Sequence, residues 1–129
     1  MPHSALGKLQ KAKLDLLEAV DLDPRSVEAL TSLASVQSQL LQHEDAIESH
    51  RRVIEELNSP DALPLKKERI RQMEIRGRTA LSYLNIAVSY RKLGQYDRAG
   101  EALQKGRKFG IPDEFYRREM QRLTSAQRR

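Results

Sequence analysis

The side chains that most often carry out chemistry in proteins are sparse in this sequence. Histidines and clustered carboxylates can supply general acid–base catalysis or bind metals, and the chain has three histidines and no cysteine. These candidates are His3, His43 and His50, with carboxylates at Asp15, Glu18 and Asp21 and at Glu44, Asp45 and Glu48. No Gly-rich phosphate loop, HExxH zinc motif or GxSxG nucleophile elbow is present. We therefore expect no enzymatic activity, no bound metal and no cofactor.

Positive charge is concentrated in two parts of the chain, whose formal net charge is +5. The first is a central segment with Lys66, Lys67, Arg69, Arg71, Arg76 and Arg78 against Glu68 and Glu74. The second is the C-terminal tail with Arg117, Arg118, Arg122, Arg128 and Arg129. Such clusters steer acidic partners toward a protein over long range. We therefore expect an acidic partner.

The composition suits one helical domain over residues 1–129. Charged residues make up 32% of the chain and aromatic residues 5%, which is typical of helices with solvated faces. The lack of cysteine excludes disulfides. Because no run of about 18 apolar residues occurs, we expect no membrane span. The Met-Pro-His-Ser start fits neither a signal peptide nor a lipidation motif. We expect the chain in the cytoplasm.

The sequence repeats itself at two offsets. An offset of 34 residues superposes Leu6 on Leu40, Ala12 on Ala46, Ala19 on Val53 and Val20 on Ile54. An offset of 53 residues superposes Leu33 on Ile86, Ala34 on Ala87, Leu40 on Leu93 and Ala46 on Ala99. The second offset is 19 residues longer, so one junction carries an insertion. Self-similarity at a fixed period is the mark of a repeat architecture.

Periodicity and turn residues predict six helices, at 4–21, 26–41, 44–57, 65–93, 96–108 and 114–126. We expect Ser4, Ser26 and Asp113 to cap three of them. Gly94 fits a helix stop, and Gly110-Ile111-Pro112 ends the fifth helix. Gly77 is the weak point of the long helix, because glycine costs about 1 kcal/mol against alanine there. A break at Gly77 is the alternative.

Small and large apolar residues follow a fixed order in the C-terminal half. The order is Tyr83, Ile86, Ala87, Tyr90, Gly94, Tyr96, Ala99 and Leu103, with Gly106 at a second small position. A second unit repeats it with Leu30, Leu33, Ala34, Ala46 and Val53, but has Gln37 and His50 at aromatic positions. Half a unit precedes it, with Gly7, Ala12, Leu16, Ala19 and Pro24. The pattern resembles the tetratricopeptide repeat family.

The resemblance implies an all-α, antiparallel helical-hairpin solenoid wound into a superhelix, with about six helices, one of them elongated. We divide the chain into a half repeat (1–25), a full repeat (26–60), a helical insertion (61–79), a full repeat (80–112) and a C-terminal capping helix (113–129). The first helix of the first repeat is missing. We therefore expect either a piece of a longer array or self-association into a homo-oligomer.

The resemblance also implies where a ligand binds. Arrays of this family present the first helix of each hairpin on a concave surface. By position, that surface would hold Thr31, Ser32, Ser35, Ser38, Gln39, Leu84, Asn85, Val88, Arg91 and Lys92, with Arg118 and Arg122 from the last helix. An asparagine can both donate to and accept from a peptide amide, and arginine binds carboxylates bidentately. We expect a peptide or helix segment of a partner protein in this groove.

The sequence allows three other interpretations. The basic segment 66–78 could contact phosphates. However, no aromatic residue lies between residues 61 and 82 to stack on bases, so nucleic-acid binding is the less favoured alternative. Ile70, Met73 and Ile75 could dock a second subunit or a neighbouring repeat. Family members that grip chaperone tails use a set of basic and amide residues, of which Asn85 alone matches here, so we do not expect that ligand.

Overall fold

The fold is seen in a computed structural model that describes residues 3–59 and 69–128. These residues form six α-helices and no strand. The helices are α1 (His3–Leu22), α2 (Val27–Gln39), α3 (His43–Leu57), α4 (Arg69–Lys92), α5 (Tyr96–Phe109) and α6 (Asp113–Gln127). Each successive pair packs together, and α4 also contacts α6. The chain is therefore an all-helical repeat solenoid, as the sequence predicted.

The hairpin turns repeat the same backbone geometry. At the end of α2, the Leu41 N–H donates to the Ser38 carbonyl at 3.0 Å, and the Gln42 N–H donates to the Gln37 carbonyl at 2.8 Å. At the end of α4, Gly94 and Gln95 make the equivalent pair at 3.0 and 2.9 Å. This is the Schellman arrangement that satisfies the last helical carbonyls. Since only three residues connect each pair of helices, the chain must reverse direction at both turns.

One of the three predicted caps is present. Ser26 precedes α2, and its hydroxyl accepts the Ala29 N–H at 3.2 Å. The prediction for Ser4 is wrong, because the backbone is already helical at His3. The prediction for Asp113 is also wrong. Pro112 occupies the cap position in extended backbone and accepts the Tyr116 N–H at 3.0 Å, so α6 begins one residue earlier than expected.

The long helix α4 is continuous through Gly77. Its 24 residues correspond to about 36 Å at 1.5 Å per residue. A Cβ atom added at Gly77 would meet no other atom within 4 Å. This glycine is therefore not required by a neighbouring helix packed closely against it. The predicted start of the helix, at residues 65–68, lies outside the described residues, as do residues 61–64 of the proposed insertion.

Alanines hold the helices close together. Ala34, Ala46, Ala87 and Ala99 are all fully buried, as their repeat positions predicted, and larger residues fill the space around them in two clusters. One cluster includes Ile47, Ile86, Tyr90, Leu103, Ile111 and Leu123. The other comprises Val20, Leu30, Leu33, Val53 and Leu57. Close packing of small against large residues is what stabilises neighbouring hairpins.

The described part of the insertion is tied to the repeats. Ile75 packs against the second cluster, whereas Met73 is 69% exposed. The Arg76 guanidinium donates to the Lys108 carbonyl at 2.7 Å, and Arg78 lies 3.6 Å from the Glu28 carboxylate. The three residues considered for docking a partner therefore differ: Ile75 is partly buried against the second cluster, Met73 faces solvent, and the Ile70 side chain lies outside the described set.

Candidate functional site

The α4–α6 face, defined as the surface of α4 and α6 around Leu84 and Arg91, brings together four of the predicted groove residues. Arg91, Arg118 and Arg122 line one cavity of about 590 Å³, together with Gln121, Ser125 and Ala126. Leu84 lines a second, apolar cavity of about 270 Å³ between the same helices. The remaining predicted residues line neither cavity, namely Thr31, Ser32, Ser35, Ser38, Gln39, Asn85, Val88 and Lys92.

Arg91, which lines the basic cavity, forms an ion pair with the buried Glu119. The Arg91 Nε donates to Glu119 Oε2 at 2.6 Å, and a terminal nitrogen of the same guanidinium approaches Oε1 at 3.3 Å. Glu119 is only 3% exposed, and Arg122 lies 3.8 Å from it. A bidentate pair of this kind fixes both side chains. Glu119 therefore already occupies the position on Arg91 that a ligand carboxylate was expected to take.

Sequence reasoning missed Glu119. It is the one carboxylate among the three arginines of residues 117–122. A charged side chain in such a stretch is usually exposed to solvent. The cluster leaves Arg118 and Arg122 as the accessible cations of this cavity, since both are exposed. Arg118 also pairs with Glu114 at 3.1 Å, one turn earlier on α6.

The apolar cavity contains exposed hydrophobic residues. It is lined by Gly77, Ala80, Leu81, Leu84, Gly110, Ile111, Pro112 and Phe115. Leu81 is 56% exposed and Phe115 is 45% exposed. Gly77 lines the cavity on the α4 side, and a Cβ added there would meet no atom within 4 Å. Leu81 lies four residues after Gly77 and three before Leu84, which is the spacing of one helix face. Such periodicity cannot distinguish a core residue from one on an open cleft.

The two described histidines of the repeats lack hydrogen-bond partners at Nδ1. Burial lowers the pKa of His50 to about 4, and His50 stands where the other units have Leu16 and Leu103. Burial also lowers the pKa of His43, with a smaller contribution from the Lys92 charge. Both imidazoles are therefore neutral near pH 7. Within residues 3–59 and 69–128, no group of three or more His, Asp or Glu residues is placed to bind a metal.

These features define an all-helical repeat protein with a cleft between α4 and α6. Residues 80–106, which cover most of α4 after Gly77 and most of α5, match the family model of the tetratricopeptide repeat. The chain therefore carries a tetratricopeptide repeat, a unit that generally serves protein–protein interaction without enzymatic activity. Comparison with curated proteins finds no match. None of the helices in the described ranges is long and apolar enough to span a bilayer.

Proposed function

We propose that the chain is a non-enzymatic interaction module that binds a peptide or helix segment of a partner protein on the α4–α6 face. The observation that carries this proposal is the pairing of an apolar cleft with a basic cavity between the same two helices. Exposed apolar surface of this kind is typical of partner-binding sites. Exposed arginines beside it supply specificity for a carboxylate.

The spacing of the two cavities suggests the ligand. Leu84 and Arg91 are seven residues apart on α4, which is about 10 Å along the helix axis. An extended peptide covers that distance in about three residues. We therefore expect a segment with one large apolar side chain in the cleft and an acidic side chain about three residues away, beside Arg118 and Arg122.

The remaining predicted residues would extend this site. Asn85, Val88 and Lys92 lie on the C-terminal half of α4, and Thr31, Ser35 and Gln39 are exposed on α2. The small hydroxyl side chains of Thr31 and Ser35 leave room for a peptide backbone. Their role, the repeat boundaries and the cytoplasmic location remain predictions.

Peptides selected from a random displayed library on the wild-type chain test the proposal. We expect the selected peptides to share an apolar residue followed or preceded by an acidic one. Leu81→Ser and Arg122→Gln should each weaken their binding about tenfold. The matched controls Leu41→Ser and Arg128→Gln change exposed residues of the same two types elsewhere and should have no effect. Equal losses in the test and control variants would contradict the proposal.

Self-association through α1 is a second candidate. Leu14, Leu17 and Leu22 are exposed on this helix, and exposed leucines of this number are a feature of contact surfaces. Sedimentation over a wide concentration range tests it, since a self-associating chain gains mass as its concentration rises. The basic insertion gives less support to nucleic-acid binding, because Arg76 and Arg78 contact α5 and α2.

A further inference from the structure

A second groove lies away from the α4–α6 face, between α3 and α5. It has a volume of about 550 Å³ and a floor supplied by α4. The floor contains Tyr83, Ile86 and Tyr90, flanked by Ile54 and Ala102. The walls carry Arg51 and Glu55 on α3 and Arg98, Glu101 and Lys105 on α5. We name it the α3–α5 groove.

Two arginines from opposite walls converge on one buried tyrosine. The Arg51 guanidinium lies 5.8 Å from the centre of the Tyr90 ring and also donates to the Tyr90 hydroxyl. The Arg98 guanidinium lies 6.0 Å from the centre of the same ring. Tyr90 itself is buried. The aromatic ring therefore holds two cations at one end of the groove.

No carboxylate of the described residues neutralises these cations. The ion pairs of residues 3–59 and 69–128 involve neither Arg51, Arg98 nor Lys105. Both guanidinium groups lie near the same ring, and like charges repel. The Tyr90 hydroxyl needs a single donor, and Arg51 supplies it. Arg98 donates to the Gln95 side-chain oxygen at 3.2 Å, which is a neutral partner. The charges of both arginines therefore lack a counter-charge among the described residues, and an anion beside them would supply one.

The other residues of the groove indicate what kind of ligand would supply the anion. Glu55 and Glu101 stand about one turn further along the same walls, so a uniformly acidic segment would be repelled there. Between them the floor is apolar, with Ile86 and Ala102 buried. We propose that the α3–α5 groove binds a protein segment in which one carboxylate side chain lies between Arg51 and Arg98 and a neighbouring apolar side chain covers Ile86.

This surface is separate from the α4–α6 face, so the chain would engage two segments at once. The proposal does not depend on the proposed function, because the two sites share no lining residue. Substitutions in one site should leave the other unchanged.

Nuclear magnetic resonance titration of the isotope-labelled full chain tests the proposal. The probes are the blocked peptide acetyl-Ala-Glu-Leu-Ala-amide, its glutamine counterpart acetyl-Ala-Gln-Leu-Ala-amide, and inorganic phosphate. The readout is the side-chain Nε–H signals of Arg51 and Arg98. We expect saturable shifts with the glutamate peptide and none with the glutamine peptide. Shifts with phosphate but not with the glutamate peptide would overturn the assignment to an acidic protein segment.

Variants give the second part of the test. Arg51→Gln and Arg98→Gln should each weaken binding of the glutamate peptide about fivefold. Arg107→Gln is the matched control, because Arg107 also lies over a tyrosine ring, 4.6 Å from the centre of Tyr116, outside the groove. The double variant Glu55→Gln with Glu101→Gln should bind more tightly than wild type. An effect of Arg107→Gln as large as that of Arg98→Gln would overturn the proposal, as would unchanged affinity in the double variant.

Discussion

Leu41 and Gly94 occupy the same place in two hairpins and share a left-handed backbone, with φ of 62° at Leu41 and 78° at Gly94. They are separated by the 53-residue offset that relates the two repeats. Glycine adopts this conformation without a steric penalty, whereas leucine does not. The first hairpin therefore keeps the turn geometry of the second at a conformational cost.

Leu41→Gly should stabilise the protein. The substitution removes about 1 kcal/mol of left-handed strain and sacrifices little packing, because the Leu41 side chain is 73% exposed. Urea unfolding followed by circular dichroism measures the change. The reciprocal control is Gly94→Ala, which should destabilise by a similar amount. If Leu41→Gly proved the less stable form, the shared turn geometry would not be the controlling factor.

Gly106→Ala should destabilise the protein by about 2 kcal/mol. An added Cβ would lie 2.5 Å from Ile111 Cδ1 and 2.8 Å from Tyr83 Cβ. The Ile111 terminus can move, but the Tyr83 Cβ is fixed to α4, so the two helices must separate. Thermal unfolding provides the measurement.

Gly77→Ala is the matched control for that substitution. Its added Cβ would contact nothing, and alanine favours a helix by about 1 kcal/mol over glycine. We therefore expect opposite signs for the two glycine substitutions. The same sign for both would show that helix propensity, rather than the close approach of α4 and α5, decides the outcome.

Much of the fold could be predicted from the sequence, because small residues and turn glycines recur at fixed offsets. Gly94 indicated its turn directly, and the buried alanines followed from their spacing. Leu41 gave no such signal, since nothing in a leucine indicates left-handed backbone. The site was harder to predict. The pairing of Arg91 with Glu119 joins residues of two helices and depends on how α6 packs, which periodicity does not specify.

Acid should destabilise the protein through His50. Burial lowers the folded pKa of His50 to about 4 from its ordinary value of 6.5, so the unfolded chain takes up a proton more readily. The contribution of the neutral His50 to the free energy of unfolding is fully present above about pH 6.5. It is lost as the pH falls toward 4, which lowers the free energy of unfolding by about 3 kcal/mol in total. Urea unfolding at a series of pH values measures it.

His50→Leu provides the control for this pH dependence. Leucine is the residue that the other units have at this position, at Leu16 and Leu103, and it cannot take up a proton. We expect a flatter stability profile between pH 6.5 and 4 in the variant. An unchanged slope would assign the acid sensitivity to other groups.

Glu119→Gln should destabilise the protein by about 2 kcal/mol, because it removes the charge that compensates the half-buried Arg91. Glu114→Gln is the matched control on the same helix. Its partner Arg118 and Glu114 itself are both exposed, so the loss should stay below about 0.5 kcal/mol. Chemical denaturation distinguishes the two. Equal losses would mean that the Arg91–Glu119 pair does not fix α6 on α4.

The most direct test of the central claim is to map the backbone amide shifts of the labelled chain on adding a library-selected peptide. The proposed function predicts that the largest shifts occur on the α4–α6 face, around Leu81, Leu84, Arg118 and Arg122. Shifts confined to α1, or a peptide that binds Leu81→Ser as tightly as wild type, would contradict it.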